Sequence, residues 1–117
     1  MTELDLSIVV PVYNEEENLR PLLAEITAAL KEEPIRYEVV FVDDGSSDTS
    51  FAVLEQLHKE DDRVVAIQFR RNHGQTAAFA AGFEQARGRY ILTIDADRQN
   101  DPADIPAMIK KLEEGYD

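Results

Sequence analysis

The 117-residue sequence contains no cysteine and no tryptophan. Without thiols there is no disulfide framework, no thiolate metal site and no cysteine nucleophile, which agrees with a reducing compartment. Basic residues are scarce: 12 Lys and Arg stand against 24 Asp and Glu, a formal net charge of -12. Proteins that grip a phosphodiester backbone present a basic face, so no nucleic-acid partner is expected. Long apolar runs are missing too, and none approaches the ~20 residues of a membrane span. The first residues, Met1-Thr2-Glu3-Leu4-Asp5, are acidic where a secretory leader is basic and then apolar, so a cytoplasmic location is expected.

A hydrophobic share of 44% and a charged share of 31% describe an ordinary globular protein, and the length suits a single domain over residues 1–117. Four apolar, β-branched runs predict strands buried on both faces: Leu6 to Val12, Tyr37 to Val42, Val64 to Phe69 and Tyr90 to Ile94. Helical patterns separate them. The first runs from Glu16 to Glu32, with Leu19, Leu22, Leu23, Ile26 and Leu30 on one face. The second opens at Asp48 and carries Phe51, Leu54 and Leu57. An Ala-rich third, from Gln75 to Arg87, can pack close to a sheet. A fourth follows Asp101-Pro102 and carries Ile105, Met108, Ile109 and Leu112. Strand and helix alternate without a hairpin signal, so the expected fold class is α/β, ordered βαβαβαβα, with a mainly parallel, Rossmann-like sheet between helices.

In such sheets ligands collect at the carboxyl ends of the strands. The polar motifs lie there: Pro11-Val12-Tyr13-Asn14-Glu15, Asp43-Asp44-Gly45-Ser46-Ser47-Asp48, Arg70-Arg71-Asn72-His73-Gly74, and Asp95-Ala96-Asp97. The last follows an extended segment in which alternate side chains share a face, so Asp95, Asp97 and Gln99 can turn oxygens toward one point. Hard oxygen ligands suit Mg²⁺ or Mn²⁺, with remaining positions filled by water and substrate phosphates. A solvated acidic turn is the plainer reading of an isolated Asp-x-Asp. Asp44 at a strand tip can accept hydrogen bonds from a base or ribose, while Gly45 turns the chain and Ser47 or Asp48 caps the next helix. Tyr13 offers a flat face for a base, and Asn14 and Glu15 can bond polar edges or cap the first helix. Arg70 and Arg71 can meet a diphosphate in a fork, or simply end a strand at the surface. His73 has no acidic or nucleophilic partner within its motif and is a poor general base.

Taken in order, Pro11-Val12-Tyr13-Asn14-Glu15, Val42-Asp43-Asp44-Gly45-Ser46, Arg71-Asn72-His73-Gly74-Gln75-Thr76-Ala77-Ala78 and Asp95-Ala96-Asp97-Arg98-Gln99-Asn100-Asp101-Pro102 resemble the family-2 glycosyltransferases of the GT-A fold. More narrowly they resemble the branch that moves a sugar from a nucleotide donor to a polyprenyl or dolichyl phosphate. The resemblance implies Pro11, Tyr13 and Glu15 in the nucleotide pocket and Asp44 at the base; Arg71 is expected in the nucleotide site as the diphosphate contact named above. It implies Asp95 and Asp97 as catalytic residues that, with Gln99, hold Mg²⁺ or Mn²⁺ on the diphosphate of a UDP- or GDP-linked sugar. Inversion at the anomeric carbon by a lipid phosphate acceptor follows, and an anionic phosphate needs no general base. Two residues depart from the family pattern: Arg98 stands where leucine is usual and His73 where an aromatic is usual. Family members continue beyond Asp117, so the expectation is a truncated donor half whose parent works at the cytoplasmic face of a membrane. Such a half is expected to bind a nucleotide diphosphate with metal but turn over poorly, and its exposed sheet edge can pair with a second copy.

Three rival readings share features with this sequence. A phosphorelay receiver domain needs a phosphoacceptor Asp on the middle strand and a Lys at a later strand end, whereas the third strand here ends in Arg70 and Arg71. A nucleotidyltransferase needs a glycine-rich, basic loop after the first strand, where this chain has Val12-Tyr13-Asn14-Glu15-Glu16-Glu17. The third rival is a donor-binding fragment without turnover, serving as a binding or assembly module.

Overall fold

The computed structural model describes residues 4–96 and 102–113. Four strands, β1 (Leu4–Val12), β2 (Tyr37–Asp43), β3 (Val64–Gln68) and β4 (Gly88–Thr93), alternate with helices α1 (Leu19–Leu30), α2 (Ser50–Glu60) and α3 (Gln75–Gln85). A short 3-10 turn at Pro102–Asp104 leads into α4 (Ile105–Glu113). All strand pairs are parallel, and the sheet order is β3-β2-β1-β4.

Burial on both faces holds for the two central strands only. Every residue of β2 is buried, as are most of β1. β3 and β4 are half-exposed, because they lie at the sheet edges and each lacks a neighbour on one side. One face of the sheet, carrying Leu6, Ile8, Val10, Val39 and Phe41, packs on Leu19, Leu22 and Ile26 of α1, Leu54 and Leu57 of α2, and Ile105 and Ile109 of α4. The other face, carrying Val9, Val40 and Val42, is covered by α3 through Ala78. The Ala-rich helix does pack closely: a Cβ on Gly82 would lie 2.3 Å from Val9 Cγ1, so only hydrogen fits there. Met108 is not part of the core as its spacing suggests; it is 48% exposed on the outer side of α4. The side chain of Leu112 lies outside what the structure describes.

At the amino ends of the strands a buried polar knot ties three elements together. Glu38 on β2, 2% exposed, accepts hydrogen bonds from the Ser7 hydroxyl at 2.6 Å and the Arg87 N–H at 2.7 Å, and pairs with the Arg87 guanidinium at 3.3 Å. Ser7 Oγ accepts in turn from the Gly88 N–H at 2.7 Å. The start of β4 is thereby fixed to β1 and β2 without leaving the buried carboxylate unpaired.

The strand order decides where a ligand can sit. From β1 the chain steps outward through β2 to β3, then crosses over the α3 face and returns to the far side of β1 as β4. The order reverses direction between β1 and β4, and the crevice at the carboxyl ends of these two adjacent strands lies at that switch point.

Candidate functional site

A cavity of about 340 Å³ occupies that crevice, lined by Pro11, Val12, Tyr13, Glu15, Asp44, Gln75, Asp95 and Ala96. Five residues singled out in the sequence, Pro11, Tyr13, Glu15, Asp44 and Asp95, therefore meet at one place. Pro11 and Tyr13 come from the end of β1, Asp44 from the tip of β2, and Asp95 from just beyond β4, where the Ile94 N–H bonds the Val9 carbonyl at 3.1 Å. Tyr13 is 49% exposed, so its ring is open to a stacking partner.

Asp44 is only 4% exposed and is already engaged. Its Oδ1 accepts the His73 N–H at 2.7 Å, and its Oδ2 accepts the Gly74 N–H at 3.0 Å and Asn72 Nδ2 at 3.1 Å. The carboxylate thus holds the turn that leads into α3. A carboxylate offers about four acceptor sites, so three bonds leave one for a ligand. Gly45 completes the junction: at φ +71° it takes the left-handed conformation, and a Cβ there would meet the Arg71 carbonyl carbon at 2.2 Å. His73 contributes its backbone, while its ring packs edge-on against Phe69 at 5.3 Å between centroids. Arg71 supplies backbone to this contact; its side chain is exposed and is not among the cavity-lining residues.

Asn14 does not cap α1. At φ 53° its side chain turns instead to the β2–α2 loop, where Oδ1 accepts the Ser47 N–H at 2.8 Å and the Asp48 N–H at 3.3 Å. Its own N–H donates to Ser46 Oγ at 2.8 Å, and the Glu15 N–H donates to Ser50 Oγ at 2.9 Å. Glu16 joins the same seam through Thr49. The two loops that flank the cavity are therefore stitched to each other. The N-cap of α2 is Thr49, not Ser47 or Asp48 as expected; from one residue earlier, Asp48 Oδ1 accepts the Ser50 N–H at 2.8 Å at the start of the helix. Burial pushes the Asp48 carboxyl up, but hydrogen bonds from Ser50 and from the Glu16 backbone outweigh it, so its pKa falls below the ordinary 3.8. Next to Asp44, Asp43 is also buried; its Oδ2 accepts the Ser46 N–H at 3.3 Å, and its Oδ1 has no hydrogen-bond partner among the described residues.

Asp97 and Gln99 lie outside the described residues, and among the described residues no group of three His, Cys, Asp or Glu forms a metal cage. The donor chemistry around the cavity nevertheless suits a hard divalent cation. Glu15, Asp44 and Asp95 bring three carboxylates to its wall, and among the described residues no Lys or Arg lines it. An anionic ligand gains little there unless a cation enters with it. Gln75, which belongs to the third motif but has no role in the sequence-based expectations, also lines the cavity. It stands at the start of α3, directly after the Arg71 to Gly74 loop, and its Nε2 donates to Asp95 Oδ1 at 3.3 Å.

A family model described as glycosyl transferase family 2 matches residues 7–117. Among curated relatives, the undecaprenyl-phosphate 4-deoxy-4-formamido-L-arabinose transferase of Pseudomonas fluorescens is 50% identical over 113 residues, covering 96% of this chain and 33% of the relative. Its namesake from Proteus mirabilis is 49% identical, with 96% and 35% covered. The chain thus spans about a third of the length of these relatives. Among solved structures, S. aureus TarS in complex with UDP-GlcNAc superposes with a TM-score of 0.74 at 24% identity, over 95% of this chain and 32% of that one. The mannosyltransferase PcManGT of Pyrobaculum calidifontis, in complex with GDP-Man and Mn²⁺, gives 0.68 at 22% identity, over 92% and 31%. Both likenesses concern the fold, and they agree with the α/β architecture and parallel sheet expected from the sequence.

Proposed function

Because the chain belongs to glycosyl transferase family 2, we propose that it is the donor-binding part of an inverting glycosyltransferase, acting from a UDP- or GDP-linked sugar onto a polyprenyl phosphate. The observation that carries this reading is the cavity at the carboxyl ends of β1, β2 and β4, walled by three carboxylates and open beside the Tyr13 ring. A nucleoside fits against Pro11 and Tyr13, with Glu15 and the remaining acceptor site of Asp44 on its polar edges. Asp95, together with Asp97 and Gln99, would hold Mg²⁺ or Mn²⁺ on the donor diphosphate. Such an ion supplies positive charge that offsets the charge building on the departing nucleoside diphosphate. Arg71, whose backbone packs at Gly45 and whose side chain is exposed, would contact a phosphate of the donor in this reading. The polyprenyl acceptor is supported by the names of the relatives at about 50% identity, and a phosphate acceptor is consistent with a site that has no general base assigned.

Residues 1–117 form one domain in this reading, with the acceptor side supplied by sequence that the longer relatives carry. Among the described residues no helix is long and apolar enough to cross a membrane; in this reading the parent protein works at the cytoplasmic face of a membrane, where a lipid acceptor meets a nucleotide-sugar donor. The outer edge of β4, where Ile91 is 41% exposed, is where another strand, from the rest of the protein or from a second copy, would add.

Calorimetric titration with UDP and with GDP, each with and without Mn²⁺, tests the site. Metal-dependent binding of one nucleotide is expected, and its preference assigns the donor class. Absence of metal-dependent binding to both would remove the donor-site assignment. A donor-binding piece without turnover is the second reading; transfer to an added polyprenyl phosphate by residues 1–117 alone would exclude it.

A further inference from the structure

Gln75 lines the cavity but has no role in the donor-site reading, and its side chain touches Asp95. Its Nε2 lies 3.3 Å from Asp95 Oδ1, and both ends of that bond are held by independent anchors. On one side, Asp44 fixes the turn into α3 by accepting the His73 and Gly74 N–H groups, and Gly82 seats the helix against Val9. On the other, β4 pairs Thr93 with the same Val9, and the Ile94 N–H bonds the Val9 carbonyl. Val9 is thus a common reference for the helix that carries Gln75 and the strand that delivers Asp95.

We propose that Gln75 is a positioning residue that orients the Asp95 carboxylate toward the metal and diphosphate of the donor. The proposal rests on the donor-site reading and deepens it. Its chemical logic is that a carboxamide N–H can fix a carboxylate oxygen without discharging it. A Lys or Arg in the same place would also orient Asp95 but would compete with the cation for its charge. A hydrophobic residue would remove this restraint, so that a smaller share of the population faces the ion.

The test uses the purified protein and calorimetric affinities for UDP and GDP, measured with and without Mn²⁺, and takes the ratio of the two affinities for the nucleotide that binds more tightly. In Gln75→Leu that ratio falls about three- to tenfold, the range of one net hydrogen bond. In Gln75→Lys, which keeps a donor but adds a charge, the ratio falls further while metal-free affinity rises. An unchanged ratio in Gln75→Leu overturns the proposal, as does an equal loss with and without Mn²⁺, which would mark a purely structural role. If the unaltered protein itself shows no gain with Mn²⁺, the donor-site reading fails and the role of Gln75 fails with it. A clear gain in the unaltered protein, unaffected by either substitution, removes Gln75 alone.

Discussion

Replacing Asp44 by Asn separates the structural duty of this residue from its contact with a ligand. In the native site, three donors converge on its carboxylate: His73 N–H on Oδ1, and Gly74 N–H with Asn72 Nδ2 on Oδ2. An asparagine has one oxygen. If that oxygen faces Gly74 and Asn72, its amide nitrogen is pressed against the His73 N–H; if it is flipped, the nitrogen meets two donors instead. At least one charge-assisted bond is lost, worth about 1.5–3 kcal/mol, and the others weaken to neutral strength. Asn72 and His73 are exposed, so water can compensate part of the loss, and the expected destabilisation is about 2–3 kcal/mol. Against a total stability of about 5–15 kcal/mol this is a large share. Urea denaturation at neutral pH reads it as a lower midpoint with an unchanged slope. Because the turn into α3 loosens, nucleotide affinity with Mn²⁺ falls as well, through Gln75 and Asp95. A variant with native stability and only weaker nucleotide binding would refute the clamp and leave Asp44 as a ligand contact alone.

Further outcomes follow from the same geometry. Gly82→Ala drives a methyl group to within 2.3 Å of Val9 Cγ1; despite better helix propensity it should destabilise by about 1–2 kcal/mol in the same urea assay, and a stabilised variant would show that α3 can lift off the sheet at no cost. Asp48 has a folded pKa held below 3.8, so its stabilising contribution is present above that value and is lost as pH falls through the lower, folded one. Urea midpoints of the unaltered protein and Asp48→Asn should therefore converge as pH drops from about 5 toward 3; a pH-independent difference would contradict this. Arg20 and Glu60 pair at 3.0 Å across exposed helix surfaces, where water screens them, and Arg20→Ala should leave the denaturation midpoint where it is.

The strands, the helices and their alternation were legible because each signal is local: β-branched runs for β1 to β4, and apolar residues at helical spacing for α1. So was the gathering of Tyr13, Asp44 and Asp95 at one edge, since a parallel sheet sends the carboxyl ends of its strands the same way. What periodicity does not encode is which strand lies beside which. The order β3-β2-β1-β4 makes edges of β3 and β4, and therefore leaves them half-exposed although their sequences read as buried. Long-range bonds were equally hidden. Asn14 looked like a helix cap but bonds residues 33 and 34 positions away, and Asp44 looked free for a ligand but is engaged by a loop 28 to 30 residues on. Gln75 carried one available signal, its place at the start of the helix that follows the Arg71 to Gly74 loop. Asp97 and Gln99, central to the sequence reading of the metal site, fall in the stretch that the structure does not describe.

The central claim is that the acidic cavity between the ends of β1 and β4 takes a nucleoside diphosphate together with a divalent cation. Mn²⁺ is paramagnetic and broadens amide resonances close to it, so adding it with UDP or GDP to the isotope-labelled protein locates the ion directly. The account predicts selective broadening at Asp95, Ala96 and Gln75, next at Tyr13 and Asp44, all of it dependent on the nucleotide. Arg36 and Asp62, at the amino ends of the strands, should stay sharp. Broadening centred on that opposite end, or uniform broadening that ignores the nucleotide, would contradict the account.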